Sequence, residues 1–149
     1  MTSVKQSTQF TCGLACIESL AKDKGIAIDQ AGMFARFPAL LHRADGMCGI
    51  TTPYIFISIL TDLKLGSAYA LGIGRAFVEA KKDIIGHGIF LFTERDDAGT
   101  GELAHVWRLE NILADSFVVV EPTPGVDPFM KHDWRVLDAR RCTVLVVEQ

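Results

Sequence analysis

The order of the hydrophobic patterns most restricts the fold, because helical spacing comes first along the chain and strand-like runs come last. Leu14, Ile17 and Leu20 recur at helical intervals, Thr11 stands where a helix N-cap belongs, and Gly25 follows as a helix-ending residue. Further helices are expected over 30–37, from Pro53 to about Gly66, and over 75–83. The first half of the chain should therefore be mostly helical.

The second half consists of short apolar runs that favour β-strands. These runs cover 88–93, 105–109, 117–120 and 143–147. Helices followed by a cluster of antiparallel strands indicate the α+β class, with a helical half packed on a small sheet. At 149 residues the chain fits a single domain that spans 1–149.

Composition argues against several kinds of function. Hydrophobic residues make up 49% of the chain and the net charge is −3, which does not suit a nucleic-acid-binding surface. The opening residues lack the apolar stretch of a secretory signal, and the apolar runs are too short to cross a bilayer. We therefore expect no nucleic-acid partner, no membrane insertion and a cytoplasmic location, with signal-independent export as the alternative.

The cysteine spacing favours free thiols over a disulfide framework or a metal site. The four cysteines form no Cys-x-x-Cys pair, and a chain this rich in apolar residues needs no disulfides to fold; they are Cys12, Cys16, Cys48 and Cys142. A zinc site on the first two cysteines and two histidines would lack a paired-ligand pattern. We expect neither a metal nor an organic cofactor.

Cys12 stands at the expected start of the first helix, where a thiol can be activated. The positive end of the helix dipole and a neighbouring imidazolium both favour the thiolate, which is the form that attacks a carbonyl carbon. Gly13 would let a substrate backbone approach closely. The alternative for Cys12 is the common position of a free cysteine, a small buried apolar residue.

Gln6 lies six residues before Cys12, in a polar stretch that is expected to form a loop. Its amide can donate to the oxygen that becomes negative when the thiolate attacks, with the Cys12 backbone N–H as the second donor. Gln9 competes for this role at a spacing of three residues. For both glutamines the alternative is a solvated loop side chain.

A histidine base is expected on a rigid element far along the chain, together with a third group that orients it. His105 opens a strand directly after a glycine-rich turn, whereas the other histidines lie in a charged loop, between glycines and in a polar connection: His42, His87 and His132. Glu121 ends the next strand, and antiparallel pairing would bring it beside His105. Asp127, which is also followed by proline, is the alternative orienting residue.

Two parts of the chain resemble the C39-type peptidases, the papain-like domains that trim double-glycine leader peptides. Their opening has a glutamine six residues before a Cys-Gly-x-Ala block at a helix start, as this chain has from Gln6 onward. They also have a histidine that opens a strand and, sixteen residues later, an acidic residue before proline, as at His105 and Glu121. The family usually has aspartate at that position. The resemblance implies a papain-like fold in which Gln6 serves the oxyanion, Cys12 attacks, His105 moves protons and Glu121 orients.

These observations predict a cysteine peptidase or amidase that cleaves a peptide or protein substrate through a thioester acyl-enzyme. A peptidase acting at small-residue or glycine-rich sites is the first interpretation. The second is a peptidoglycan amidase-type toxin with the same triad, whose partner would be an inhibitor or an immunity protein. A catalytically silent peptide-binding module is the alternative from another class of function.

Overall fold

Six helices occur within the residues that the computed structural model describes, which are 1–8, 11–41, 52–85, 88–94 and 103–148. They are α1 (Cys12–Asp23), α2 (Gln30–Arg36), α3 (Pro38–Leu41), α4 (Pro53–Asp62), α5 (Gly74–Ile85) and α6 (Arg135–Ala139). The expected helices correspond to α1, α2, α4 and α5, whereas the short α3 and α6 were not predicted. Within the described residues no helix is both long and apolar enough to cross a membrane.

Local sequence sets several of the helix ends. Gly25 follows α1 in the left-handed conformation with a φ of 72°, which glycine adopts at little cost. The Thr52 hydroxyl caps α4 by accepting a hydrogen bond from the Ile55 N–H at 3.3 Å. Thr11 occupies the N-cap position of α1, but its hydroxyl bonds the Thr8 backbone and not a helix N–H. The expectation of a side-chain cap at Thr11 is therefore wrong.

The strands form one antiparallel sheet. They are β1 (Ala68–Ile73), β2 (Ile89–Glu94), β3 (Leu103–Ile112), β4 (Ser116–Val120), β5 (Phe129–Asp133) and β6 (Thr143–Glu148). Their order across the sheet is β1-β6-β2-β3-β4-β5, with every neighbouring pair antiparallel. The four inner strands are those that the sequence predicts, and the two edge strands, β1 and β5, are not. The α+β class is confirmed.

The sheet separates two hydrophobic layers. Alternate residues of each strand face opposite layers, so that Phe90 of β2 packs beneath α1, α2 and α4, while Leu91 faces α5 and α6. Phe56 of α4 contacts the ring of Phe90 at a centroid separation of 4.7 Å. The first layer holds α1 against β3, and this packing fixes the position of the N-terminus of α1.

The segment before α1 folds back along that helix. Arg108 of β3 is buried and donates to Asp23 at 2.6 Å and to Ser19 at 2.9 Å, both on α1. Asp23 also accepts a hydrogen bond from the Thr2 backbone N–H at 2.8 Å. The two Arg108 bonds hold α1 against β3, and the Thr2 bond places the start of the N-terminal segment near the end of α1.

Candidate active site

The first residue of α1 is Cys12, and it is the accessible thiol among the described cysteines. Cys12 is partly exposed, whereas Cys16 and Cys142 are buried. One turn after Cys12, the Cys16 thiol donates to the Val106 carbonyl of β3 at 3.5 Å. Burial raises the pKa of the Cys16 thiol well above its usual value, so that this thiol stays protonated.

The pairing of β3 with β4 brings His105 and Glu121 together. Arg108 pairs with Val120, so the residue that follows Val120 lies opposite the first half of β3. His105 Nε2 and Glu121 Oε1 are 2.7 Å apart. The two side chains are 18% and 9% exposed, so this pair is largely shielded from water.

Cys12 and Glu121 both favour the protonated form of His105. Burial alone would lower the pKa of His105, but hydrogen bonding with Cys12 and Glu121, together with their charges, raises it from 6.5 to about 9. Burial alone would likewise raise the pKa of Glu121, but the bonds from His105 and Thr123 lower it from 4.5 to about 2. At neutral pH the pair is therefore an imidazolium and a carboxylate.

Four donors fix the Glu121 carboxylate. Oε1 accepts from His105 and also from the backbone N–H and hydroxyl of Thr123, at 3.0 and 2.7 Å. Oε2 accepts from Trp107 Nε1 at 2.7 Å. Sequence reasoning did not identify Trp107 or Thr123 as partners of Glu121. The signal for Trp107 is its i+2 relation to His105, which places both side chains on one face of β3.

Gln6 lies where the N-terminal segment meets the loop after β4. Its backbone N–H donates to the Pro122 carbonyl at 2.8 Å, and the neighbouring Lys5 Nζ donates to three carbonyls of the loop 121–126. Gln6 Nε2 donates one of its two hydrogens to the Thr8 carbonyl at 2.9 Å. Gln6 Oε1 is buried and has no hydrogen-bond partner among the described residues.

The other candidate residues occupy different positions around this arrangement or lie outside the described residues. Asp127 is exposed in the loop after β4, and the carboxylate bonded to His105 is that of Glu121. His132 of β5 stacks on Trp107 with a centroid separation of 4.5 Å, and burial lowers the pKa of its ring. The remaining candidates lie outside the described residues: Gln9, His42, Cys48 and His87.

Two further observations concern other kinds of site. Within the part of the chain that the structure describes, no three His, Cys, Asp or Glu side chains converge as metal ligands would. A pocket near the far end of β3, lined in part by Lys82, Ile89 and Asn111, contains no thiol or imidazole.

Comparisons with known proteins place the architecture in a known fold. No family model and no curated protein matches the sequence. Among solved structures the chain is similar to the peptidase domain of Streptococcus ComA, described as a bi-functional ABC transporter involved in a quorum-sensing pathway. The TM-score is 0.67 and the identity 16%, over 99% of this chain and 98% of that one.

The likeness extends over both chains almost completely, and at this identity it is a likeness of fold. The chain has the α+β papain-like fold. More particularly, its fold is similar to that of the ComA peptidase domain, which is a C39 peptidase, and this confirms at the level of architecture the resemblance that the sequence suggested.

Proposed function

We propose that the protein is a cysteine peptidase in which Cys12 is the nucleophile, His105 the proton carrier and Glu121 the residue that orients the His105 ring. One observation carries this proposal: a shielded His105–Glu121 pair at 2.7 Å interacts with a partly exposed cysteine at a helix N-terminus. Cysteine catalysis of acyl transfer uses a thiol, an imidazole that exchanges its proton, and a third group that orients the imidazole. The likeness in fold to a peptidase domain supports the same class of reaction.

The first step is attack of the Cys12 sulfur on the carbonyl carbon of the scissile bond. A protonated imidazole and the N-terminus of α1 both favour the thiolate, which is the reactive form. Because His105 Nε2 is hydrogen-bonded to Glu121, Nδ1 is the ring nitrogen that can interact with the Cys12 sulfur. The new C–S bond sends an electron pair to the carbonyl oxygen, which becomes an oxyanion.

Two donors would receive that oxyanion. The N–H of Cys12 lies in the first turn of α1, where backbone N–H groups have no partner within the helix. The second donor is Gln6, whose Nε2 has one hydrogen left after its bond to Thr8. Preorganised donors of this kind stabilise the charge that develops in the transition state.

The remaining steps pass through a thioester. The C–N bond breaks as His105 gives its proton to the departing amine, which leaves the acyl group on Cys12. His105, now neutral, takes a proton from a water molecule, and the resulting hydroxide attacks the thioester carbon. The C–S bond breaks, the carboxylic acid leaves, and Cys12 and His105 return to the charged pair.

Glutamate in place of the family's usual aspartate is compatible with the orienting role, because this carboxylate is held at several points. Trp107 and Thr123 bond the same carboxylate that contacts His105, so that the longer side chain has one well-defined position. An orienting residue needs a fixed carboxylate and is not restricted to one chain length.

The proposal is tested by incubating the protein with glycine-rich peptides and, separately, with purified peptidoglycan, and identifying the products by mass spectrometry. We expect cleavage of the peptides and a loss of at least about a thousandfold in rate for Cys12→Ala and for His105→Ala. Cys142→Ala, which removes a buried thiol of the opposite layer, is the matched control and should keep its activity.

Two results would contradict the proposal in different ways. Cleavage that persists in Cys12→Ala would refute the role of this thiol. Absence of cleavage of both kinds of substrate, together with tight binding of a peptide, would favour the silent peptide-binding module. Release of peptidoglycan stem peptides alone would keep the catalytic groups and change the substrate class to that of the amidase.

A further inference from the structure

Gln30 is a buried amide whose hydrogen-bonding capacity is used completely. It is the first residue of α2 and is 7% exposed. Its Oε1 accepts from the Ser7 backbone N–H at 2.9 Å and from the Ser7 hydroxyl at 3.1 Å. Its Nε2 donates to the Lys5 carbonyl at 2.8 Å and to Glu18 at 3.3 Å. An amide side chain can make four such bonds, and Gln30 makes all four.

These bonds fall on both sides of Gln6. Gln30 donates to the carbonyl of Lys5, which precedes Gln6, and accepts from the N–H of Ser7, which follows it. The N–H of Gln6 itself is held by Pro122, directly after Glu121. The backbone at Gln6 is thus fixed by α2 on one side and by the loop after β4 on the other.

We infer that Gln30 is a positioning residue that fixes the oxyanion donor Gln6 relative to the Cys12 sulfur, an inference that rests on the proposed peptidase activity. Gln30 lies on a different helix from Cys12 and acts through the backbone of residues 5–7. Oxyanion stabilisation depends steeply on geometry, and a displacement of about 1 Å can cost about a hundredfold in rate. A buried amide that hydrogen-bonds the residues on both sides of Gln6 provides this precision.

The role requires an amide and not merely a side chain of this size. Methionine would fill a similar volume but would leave the Ser7 N–H and the Lys5 carbonyl without their partner. Glutamate would keep an acceptor for Ser7 but would lose both donors and place a second carboxylate beside Glu18, which is also buried. Both substitutions should therefore loosen residues 5–7 while leaving Cys12 and His105 in place.

The test compares two reactions of the same sulfur. Acylation by N-acetyl-Gly-Gly p-nitrophenyl ester creates an oxyanion and needs its donors, whereas alkylation by iodoacetamide forms a C–S bond and expels iodide without creating one. For Gln30→Met and Gln30→Glu we expect the acylation rate, read from the release of p-nitrophenol, to fall by about tenfold to a hundredfold. The alkylation rate of Cys12 and its pH profile should stay within about twofold of the wild type. Gln6→Ala should show the same pattern, and the double variant Gln6→Ala with Gln30→Met should lose little more than Gln6→Ala alone.

Asp29→Ala is the matched control. It removes the carboxylate that caps α2 by accepting from the Gly32 N–H at 2.7 Å, and it leaves the bonds of Gln30 intact. This variant should lose about 1 kcal/mol of stability and keep the acylation rate. Normal acylation in both Gln30 variants would overturn the inference. So would an equal loss in Asp29→Ala, or a parallel loss of alkylation in both Gln30 variants, since either would indicate general loosening. A wild type that neither acylates nor alkylates selectively at Cys12 would instead refute the proposed function, and the inference with it.

Discussion

Replacing Glu121 with glutamine separates the charge of the proposed orienting carboxylate from its shape. Glutamine has nearly the same size, and its Oε1 can still accept from one neighbour, so the fold should persist. What is lost is the negative charge 2.7 Å from His105 Nε2 and the strength of a charge-assisted bond. The imidazolium of His105 should therefore become easier to deprotonate.

The magnitude follows from the His105 pKa. Its rise from 6.5 to about 9 corresponds to about 3 kcal/mol in favour of the imidazolium. Cys12 and Glu121 share this effect, and the Cys12 part remains in Glu121→Gln. We expect the pKa of His105 to be lower in the variant, with a loss of at least about 1 kcal/mol of this preference for the imidazolium, which is a several-fold change in the protonation equilibrium.

The dependence of stability on pH has a definite sign. The folded-state pKa of His105 is raised, so its contribution is fully present below about pH 6.5 and is lost as the pH rises through about 9. In Glu121→Gln this contribution to stability is already smaller at low pH, where it is fully present. The difference in unfolding free energy between wild type and variant should therefore shrink by more than about 1 kcal/mol between pH 6 and pH 10.

The assay is an NMR titration of the histidine ring protons, combined with urea unfolding at both pH values. Asp127→Asn is the matched control, since it removes an exposed carboxylate of the neighbouring loop and should leave the His105 titration unchanged. A wild-type His105 that titrates near 6.5, or an identical titration in Glu121→Gln, would refute the reasoning about this pair.

Two further predictions concern hydrogen bonds described above, one at the candidate site and one between α1 and β3. Thr123→Val removes the 2.7 Å hydroxyl bond to Glu121 and should raise the pKa of that carboxyl. Because a lowered carboxyl pKa contributes stability that is lost as the pH falls, acid unfolding followed by circular dichroism should begin at a higher pH; an unchanged midpoint would contradict this. Asp23→Ala removes the carboxylate that pairs with buried Arg108. The free energy of unfolding, measured with urea, should fall by about 3 kcal/mol. Asp62→Ala, in an exposed ion pair, should cost less than about 1 kcal/mol, and equal losses would contradict the argument from burial.

The elements that sequence alone predicts are those with strong hydrophobic patterns. The inner strands β2, β4 and β6 carry continuous apolar runs because both of their faces are covered. The fourth inner strand, β3, interrupts its apolar residues with polar ones but still carries buried Val106, Trp107 and Leu109. The edge strands differ: β5 contains Lys131, His132 and Asp133, and β1 ends in exposed Ile73. Half-exposed strands of mixed composition resemble loops in sequence, so their assignment requires the neighbouring strand.

The same distinction applies to the candidate site. Residues with reactive side chains can be selected by type and spacing, as Cys12, His105 and Glu121 were. Residues that hold those side chains are ordinary in sequence and are defined by tertiary contacts. Thr123 looks like a turn residue, and Gln30 looks like the polar start of a short helix. Gln30 bonds residues that lie 23 and 25 positions before it, and Thr123 bonds a carboxylate whose other partner, His105, lies 16 positions before Glu121. These relations depend on the tertiary structure, and one sequence does not contain them.

The most direct test of the central claim is to locate the adduct of a Gly-Gly vinyl sulfone on the protein by digestion and mass spectrometry. If the sulfur at the start of α1 is activated by the His105–Glu121 pair, the adduct will form rapidly on Cys12 alone and will be lost in His105→Ala. Labelling distributed over several cysteines, or labelling of Cys12 at the same rate without the imidazole, would contradict the account.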